Sequence, residues 1–115
     1  MIFSTGFSKK LVLPTVASMA LVLSPALFGQ GETGEALYKR NCAGCHGADG
    51  AGQTAMGRTF KIGDLRAAEA QKMTDAQLAD LIANGKGKMP AYGKRLSHEQ
   101  IQSVVGYLRE LAKKK

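Results

Sequence analysis

Cysteine is almost missing from this 115-residue chain: Cys42 and Cys45 are the only two. Thiols so close together enclose no long loop, so a disulfide between them would stabilise little by restricting the unfolded chain. A disulfide framework is therefore excluded. Strand patterning is missing too. No stretch alternates apolar and polar residues as a half-buried strand must, which leaves an all-α domain as the expected fold class. Internal repeats and low-complexity blocks are absent, and past residue 26 no segment is apolar and long enough to enter a bilayer. Acidic residues are few, 9 against 16 Lys and Arg.

The one long apolar run lies at the start. "MIFSTGFSKK" ends in two lysines and leads into "LVLPTVASMALVL", followed by the small residues Ser24 and Ala26 around Pro25. A basic segment, an apolar segment and small residues are the layout of a secretory signal peptide. The expected signal is residues 1–26, with Gly29 or Gly31 as later cleavage positions. A retained anchor is the rival reading. Pro14 and Pro25 bracket the run, however, and it falls short of the roughly 20 apolar residues of a spanning helix. Removing Lys9 and Lys10 leaves 14 basic and 9 acidic residues, a net charge of +5 on residues 27–115. That charge suits acidic protein partners. Nucleic acid fits poorly with export and scattered lysines. A domain this small is marginal on apolar burial alone, so a cofactor or metal is expected to complete its core.

Three helices can be read. The first runs from about Thr33 to Asn41, with Gly34, Leu37 and Tyr38 on one face, and delivers the chain into Cys42. The second begins at Thr74, whose spacing to Gln77 predicts a capping box, with Met73 and Leu78 as a hydrophobic staple and Gly85 as the stop. The third repeats the device at Ser97 and Gln100, with Leu96 and Ile101 as staple; its apolar stripe is Ile101, Val104, Val105, Leu108 and Leu111. Gly106 inside that helix costs about 1 kcal/mol relative to alanine, and a close approach to Gly34 of the first helix would offset it. Residues 47–64 and 85–95 read as long glycine-rich loops, and loops of that length in a small domain are usually functional.

"NCAGCHG", residues 41–47, carries both cysteines and one of the two histidines. A thioredoxin-like redox pair would sit beside a βαβ pattern, and there is none. A zinc site needs four ligands, and only His98, in the first turn of the third helix, remains to complete one. Covalent haem attachment uses every residue. Two thiols one helical turn apart can add to the two vinyl groups of a porphyrin, and the histidine after the second is carried to the iron. Cys42 and Cys45 are thus the expected haem thioether residues and His46 the proximal iron ligand.

With these motifs, "GEALYKRNCAGCHG", "NGKGKMPAYGKRLSHEQI" and "VVGYLRELA" make the chain resemble the class I c-type cytochromes, especially small bacterial and c6-like members, over residues 32–112. The resemblance implies a cytochrome c fold in residues 27–115, helices wrapped around one covalently bound haem c. It also implies that Gly34 and Tyr38 pack across the last helix against Val104 and Tyr107. Many members orient the proximal histidine through a proline carbonyl; here no proline lies between His46 and Met89, so another carbonyl must serve.

Three methionines follow the signal. Met73 has its place in the staple, and Met56 reads as a soft lining residue. Met89 precedes Pro90, which favours an extended backbone, and Gly85, Gly87 and Gly93 allow its loop to pass close to a porphyrin. The matching "KGKMPAY" segment carries the distal methionine in the resembling family, so Met89 is the expected distal ligand, with Met56 and His98 as alternatives. Arg58, Thr59 and Lys61 could reach the haem propionates or simply be solvated. An iron held by protein on both sides passes single electrons rather than binding substrate. The expected function is therefore a monomeric, periplasmic electron carrier without enzymatic activity. Lys86, Lys88, Lys94 and Arg95 could steer redox partners with acidic docking faces. The alternatives are a haem subunit of a larger respiratory oxidase or dehydrogenase, and a small haem peroxidase or sensor with a displaceable sixth ligand.

Overall fold

A computed structural model describes residue 6, residues 10–14 and residues 31–115. The expected signal cleavage positions at 26 and 29 lie outside the described residues, and residue 31 falls on their boundary. Six helices follow one another: α1 (Gly34–Asn41), α2 (Ala43–His46), α3 (Ala55–Thr59), α4 (Ala68–Gln71), α5 (Asp75–Asn84) and α6 (His98–Lys113). Among the described residues no strand occurs beyond an isolated bridge between Lys86 and Met89, and no helix is long and apolar enough to cross a membrane.

The helix ends are set by local chemistry. Both capping boxes form, Thr74 with Gln77 and Ser97 with Gln100, so each helix start has two backbone N–H groups satisfied by side chains. Thr33 caps α1 by accepting from the Ala36 N–H at 3.1 Å. The expected loop 47–64 contains α3, and the unexpected α4 lies between that loop and the second expected helix. At five and four residues these helices are too short to carry an apolar period, and α3 rests on its cap, Thr54 accepting from the Gly57 N–H at 2.8 Å.

The core is built by α1, α5 and α6. Leu37 and Tyr38 of α1 are fully buried, joined by Leu78 and Ile82 of α5 and by Ile101, Val104, Val105, Leu108 and Leu111 of α6. Tyr38 meets Tyr107 with ring centroids 5.3 Å apart, an ordinary separation for a tilted aromatic pair. The close approach of α1 to α6 falls on Gly34, where a Cβ would stand 2.0 Å from the Ser103 carbonyl oxygen. Gly106 is not its counterpart. It is exposed with nothing within 4 Å of a Cβ, because at 100° per residue it lies on the side of α6 away from the apolar stripe. Arg109 fastens α6 to the start of α5, donating to Asp75 Oδ1 from Nε at 3.0 Å and Nη2 at 2.8 Å, and to the Met73 carbonyl at 2.6 Å.

Candidate functional site

The "CAGCH" segment folds as a tight continuation of α1. The Cys42 N–H closes α1 on the Tyr38 carbonyl at 2.8 Å, and the Cys42 carbonyl then accepts from the N–H groups of Cys45 and His46 at 3.2 and 2.9 Å. One turn of helix therefore separates the two thiols. The segment is tied down from several directions. Tyr38 Oη donates to the Gly47 carbonyl at 2.7 Å from a buried position. Thr54 Oγ1 donates to the Cys45 carbonyl at 2.6 Å, and the Gly52 N–H donates to the His46 carbonyl at 2.7 Å.

Burial sets the chemistry of these groups. It pushes the Cys42 thiol up to about 11, with a smaller contribution from the nearby Cys45, so Cys42 stays a protonated thiol at neutral pH. It pushes the His46 imidazole below its ordinary value, which favours the neutral form a metal ion needs. His46 Nδ1 is buried without a hydrogen-bond partner among the described residues. The expected orienting carbonyl is thus not found there.

Met89 arrives on a different device. Gly85 ends α5 at φ 71° and ψ 174°, a region essentially confined to glycine. A Cβ there would also stand 2.6 Å from the Met89 carbonyl. Lys86 and Met89 then exchange two backbone hydrogen bonds of 3.0 and 3.1 Å, closing a tight turn. The loop rejoins α5 through Tyr92 N–H to the Ile82 carbonyl and Gly93 N–H to the Ala83 carbonyl, both 3.0 Å.

These two segments meet at one cavity, lined by Cys42, Cys45 and His46, by Met89 and Pro90, and by Phe60 and Ile62. Asn41, Lys86, Lys88 and Tyr92 complete its wall. Its volume of about 220 Å³ far exceeds the voids of a close-packed interior, which seldom hold more than a water molecule. The donor set of two thiols, one neutral imidazole and one thioether around an apolar cavity fits a covalently held haem. Among the described residues no three His, Cys, Asp or Glu side chains converge on a metal position, so zinc has no donor set.

The other candidates are elsewhere. Met56 is 46% exposed and does not line the cavity. Met73 packs against the core beside α5, as a staple residue should, and His98 is exposed at the start of α6. Arg58 and Thr59 bond within their own loop, to the carbonyls of Gln53 and Ala55, and neither they nor Lys61 lines the cavity. The sequence reading missed Phe60, Ile62, Tyr92 and Asn41. Phe60 and Ile62 flank Lys61, a non-glycine residue at φ 54°, and that left-handed step carries the loop round between them. Their signal was available: apart from Met56 they are the large apolar residues of the 47–64 stretch.

The chain is similar to known c-type cytochromes. Residues 29–108 match the family model described as "Cytochrome C oxidase, cbb3-type, subunit III". A cytochrome c6 of Gloeothece citriformis is 35% identical over 111 residues, covering 92% of this chain and 97% of that one. A cytochrome c6 of Leptolyngbya boryana is 42% identical over 81 residues, 70% of this chain and 92% of its own. Among solved structures, the KustC0563 c-type cytochrome superposes with a TM-score of 0.65 at 28% identity, covering 70% of this chain and 98% of that one. Cytochrome c6 of the diatom Phaeodactylum tricornutum gives 0.54 at 30% identity, over 70% and 92%. With a helical frame, a CAGCH turn and a methionine loop around one apolar cavity, the chain belongs to the class I c-type cytochromes as a c6-like member, a small electron-transfer protein with one covalently bound haem c and no enzymatic role.

Proposed function

We propose that Cys42 and Cys45 hold the haem through thioether bonds, that His46 and Met89 are its two axial ligands, and that the protein works as an exported one-electron carrier. The observation that supports this most is the sharing of one cavity by Cys42, Cys45, His46 and Met89, a cavity that Met56 does not line. Haem c bound there supplies a one-electron iron couple and a porphyrin edge at which the electron enters and leaves. The chain's own residues do the rest. Cys42 and Cys45 would hold the haem, each thiol being able to add to one vinyl group without net oxidation or reduction. Burial keeps His46 neutral for the metal. The Lys86–Met89 turn presents a thioether, which favours the reduced iron and raises the potential. Phe60, Ile62, Pro90 and Tyr92 line the cavity and would pack against the bound haem. With His46 and Met89 both holding the iron, no position would be left on it for a substrate. The ferric holoprotein should show a low-spin spectrum with a thioether-to-iron charge-transfer band; a high-spin spectrum would contradict the reading and favour the peroxidase or sensor.

Charge supports an acidic partner. The five ion pairs among the described residues are Lys39–Glu35, Arg40–Glu32, Arg66–Asp64, Arg109–Asp75 and Lys113–Glu110. None involves Lys86, Lys88, Lys94 or Arg95, and no acidic residue lies between Asp80 and Glu99. Unneutralised cations beside the cavity would steer an acidic redox protein toward the haem edge. Electron exchange with such a partner should slow as salt is added; no slowing would remove the steering. Residues 1–26 act as a cleaved export signal on this reading, releasing a periplasmic monomer, and N-terminal sequencing of the secreted protein tests it.

The family match to an oxidase subunit favours one second reading, a haem-bearing subunit of a larger respiratory complex. Recovery of the native protein in a membrane complex, rather than as a free monomer, would decide for it.

A further inference from the structure

We propose that Tyr92 is a positioning residue, a strut that holds the Met89 loop against the haem-attachment segment and so sets how readily the sixth ligand leaves. The proposal rests on Met89 being that ligand. Tyr92 Oη donates to the Asn41 carbonyl at 3.0 Å, across 51 positions of sequence. Asn41 immediately precedes Cys42, and Tyr92 follows Met89 by three residues.

The rest of the loop is bonded only to its own side. Gly85 bonds back to Leu81, Lys86 and Met89 bond to each other, and Tyr92 and Gly93 bond through their N–H groups to Ile82 and Ala83 of α5. Among the described residues, the Tyr92 hydroxyl makes the one hydrogen bond that crosses from residues 85–93 to residues 41–62. Lys88 adds only a loose contact, its Nζ 5.9 Å from the centre of the Phe60 ring. Tyr92 is also held from outside. The Arg95 guanidinium lies over its ring at 4.3 Å, and the ring itself is 9% exposed and lines the cavity. A ring clamped between a guanidinium and the core has few rotamers to lose, so its hydroxyl bond forms at small entropic expense.

The consequence is how accessible the iron is at equilibrium. An external ligand binds only when the Met89 loop opens, so its apparent affinity scales with the open fraction. Removing one partly buried hydrogen bond that closes the loop should raise that fraction about fivefold. A general loss of stability would not be expected to act selectively there.

The test titrates imidazole into the ferric holoprotein and its variants, alongside thermal unfolding. Tyr92→Phe keeps the ring and removes the hydroxyl. It should retain the thioether band at rest and bind imidazole about fivefold more tightly. Tyr38→Phe is the matched control, since it removes a buried tyrosine hydroxyl that bonds to Gly47 instead. It should lower the unfolding midpoint and leave imidazole affinity within about twofold. Arg95→Leu should raise affinity in the same direction by about twofold, and it carries the test if Tyr92→Phe fails to accumulate with haem. Unchanged affinity in Tyr92→Phe, or equal gains in both tyrosine variants, overturns the strut while leaving Met89 as ligand. A parent protein with no thioether band overturns the assignment of Met89 and the strut together.

Discussion

The attachment segment and the methionine loop solve the same problem, holding a side chain at a cavity wall, with unequal resources. Around Cys42, Cys45 and His46, hydrogen bonds arrive from Tyr38, Gly52 and Thr54, and the preceding helix is locked to α6 by the close approach at Gly34. Met89 depends on a self-contained turn, two bonds to its own helix and the single cross-tie from Tyr92. The difference teaches where opening should occur. Segments with many tertiary bonds open only with the whole fold, whereas a loop bonded mainly to itself can open alone. On the proposed ligation, His46 would gain two covalently fixed neighbours in Cys42 and Cys45, and Met89 none.

Substitutions can break or sharpen that contrast. The largest effect is expected at Gly34→Ala, where the added methyl meets the Ser103 backbone. Forcing α1 from α6 should destabilise the whole protein by about 3 kcal/mol in denaturant titration. The thioether band should persist until global unfolding. Gly85→Ala comes next. Its cost of about 2 kcal/mol for a side chain at φ 71° falls on the loop. The band should fade at denaturant concentrations where the helical circular dichroism is intact. Coincident loss of both signals in both variants would abolish the contrast.

Two smaller changes should stabilise. Gly106 occupies an exposed helix interior with open space around a Cβ, so Gly106→Ala should add about 1 kcal/mol. Lys61 has a left-handed backbone at φ 54°. Lys61→Gly relieves that strain but frees the unfolded chain, leaving a net gain of about 0.5 kcal/mol. Denaturant midpoints measure both.

Much of this arrangement could be read from sequence because it is written in local chemistry. Thr74 with Gln77 and Ser97 with Gln100 announce helix starts three residues apart, and the apolar stripe of α6 runs long enough to show its period. "CAGCH" names its own cofactor because three reactive groups at fixed spacing have few other uses. The Met89 loop, which the structure brings to the cavity wall, stood out through Pro90 and its flanking glycines. What stayed hidden depends on direction or distance. Helices α3 and α4 are shorter than the pattern that would reveal them. Gly106 reads as a contact in sequence, although the helical period already sets it opposite the apolar stripe of α6. The bond from Tyr92 to Asn41 joins residues that nothing in the intervening 50 positions connects. The missing proline between His46 and Met89 signals an unusual partner for His46 Nδ1, but that no described residue bonds it comes from the fold.

The claim that most needs testing is that Met89, and neither Met56 nor His98, completes the iron's coordination. Ferric spectra of Met89→Ala and Met56→Ala holoproteins, recorded beside the parent, address it directly. The account predicts that Met89→Ala keeps its covalent haem and loses the thioether-to-iron band, while Met56→Ala matches the parent. A band that survives in Met89→Ala, or disappears in Met56→Ala, would contradict it.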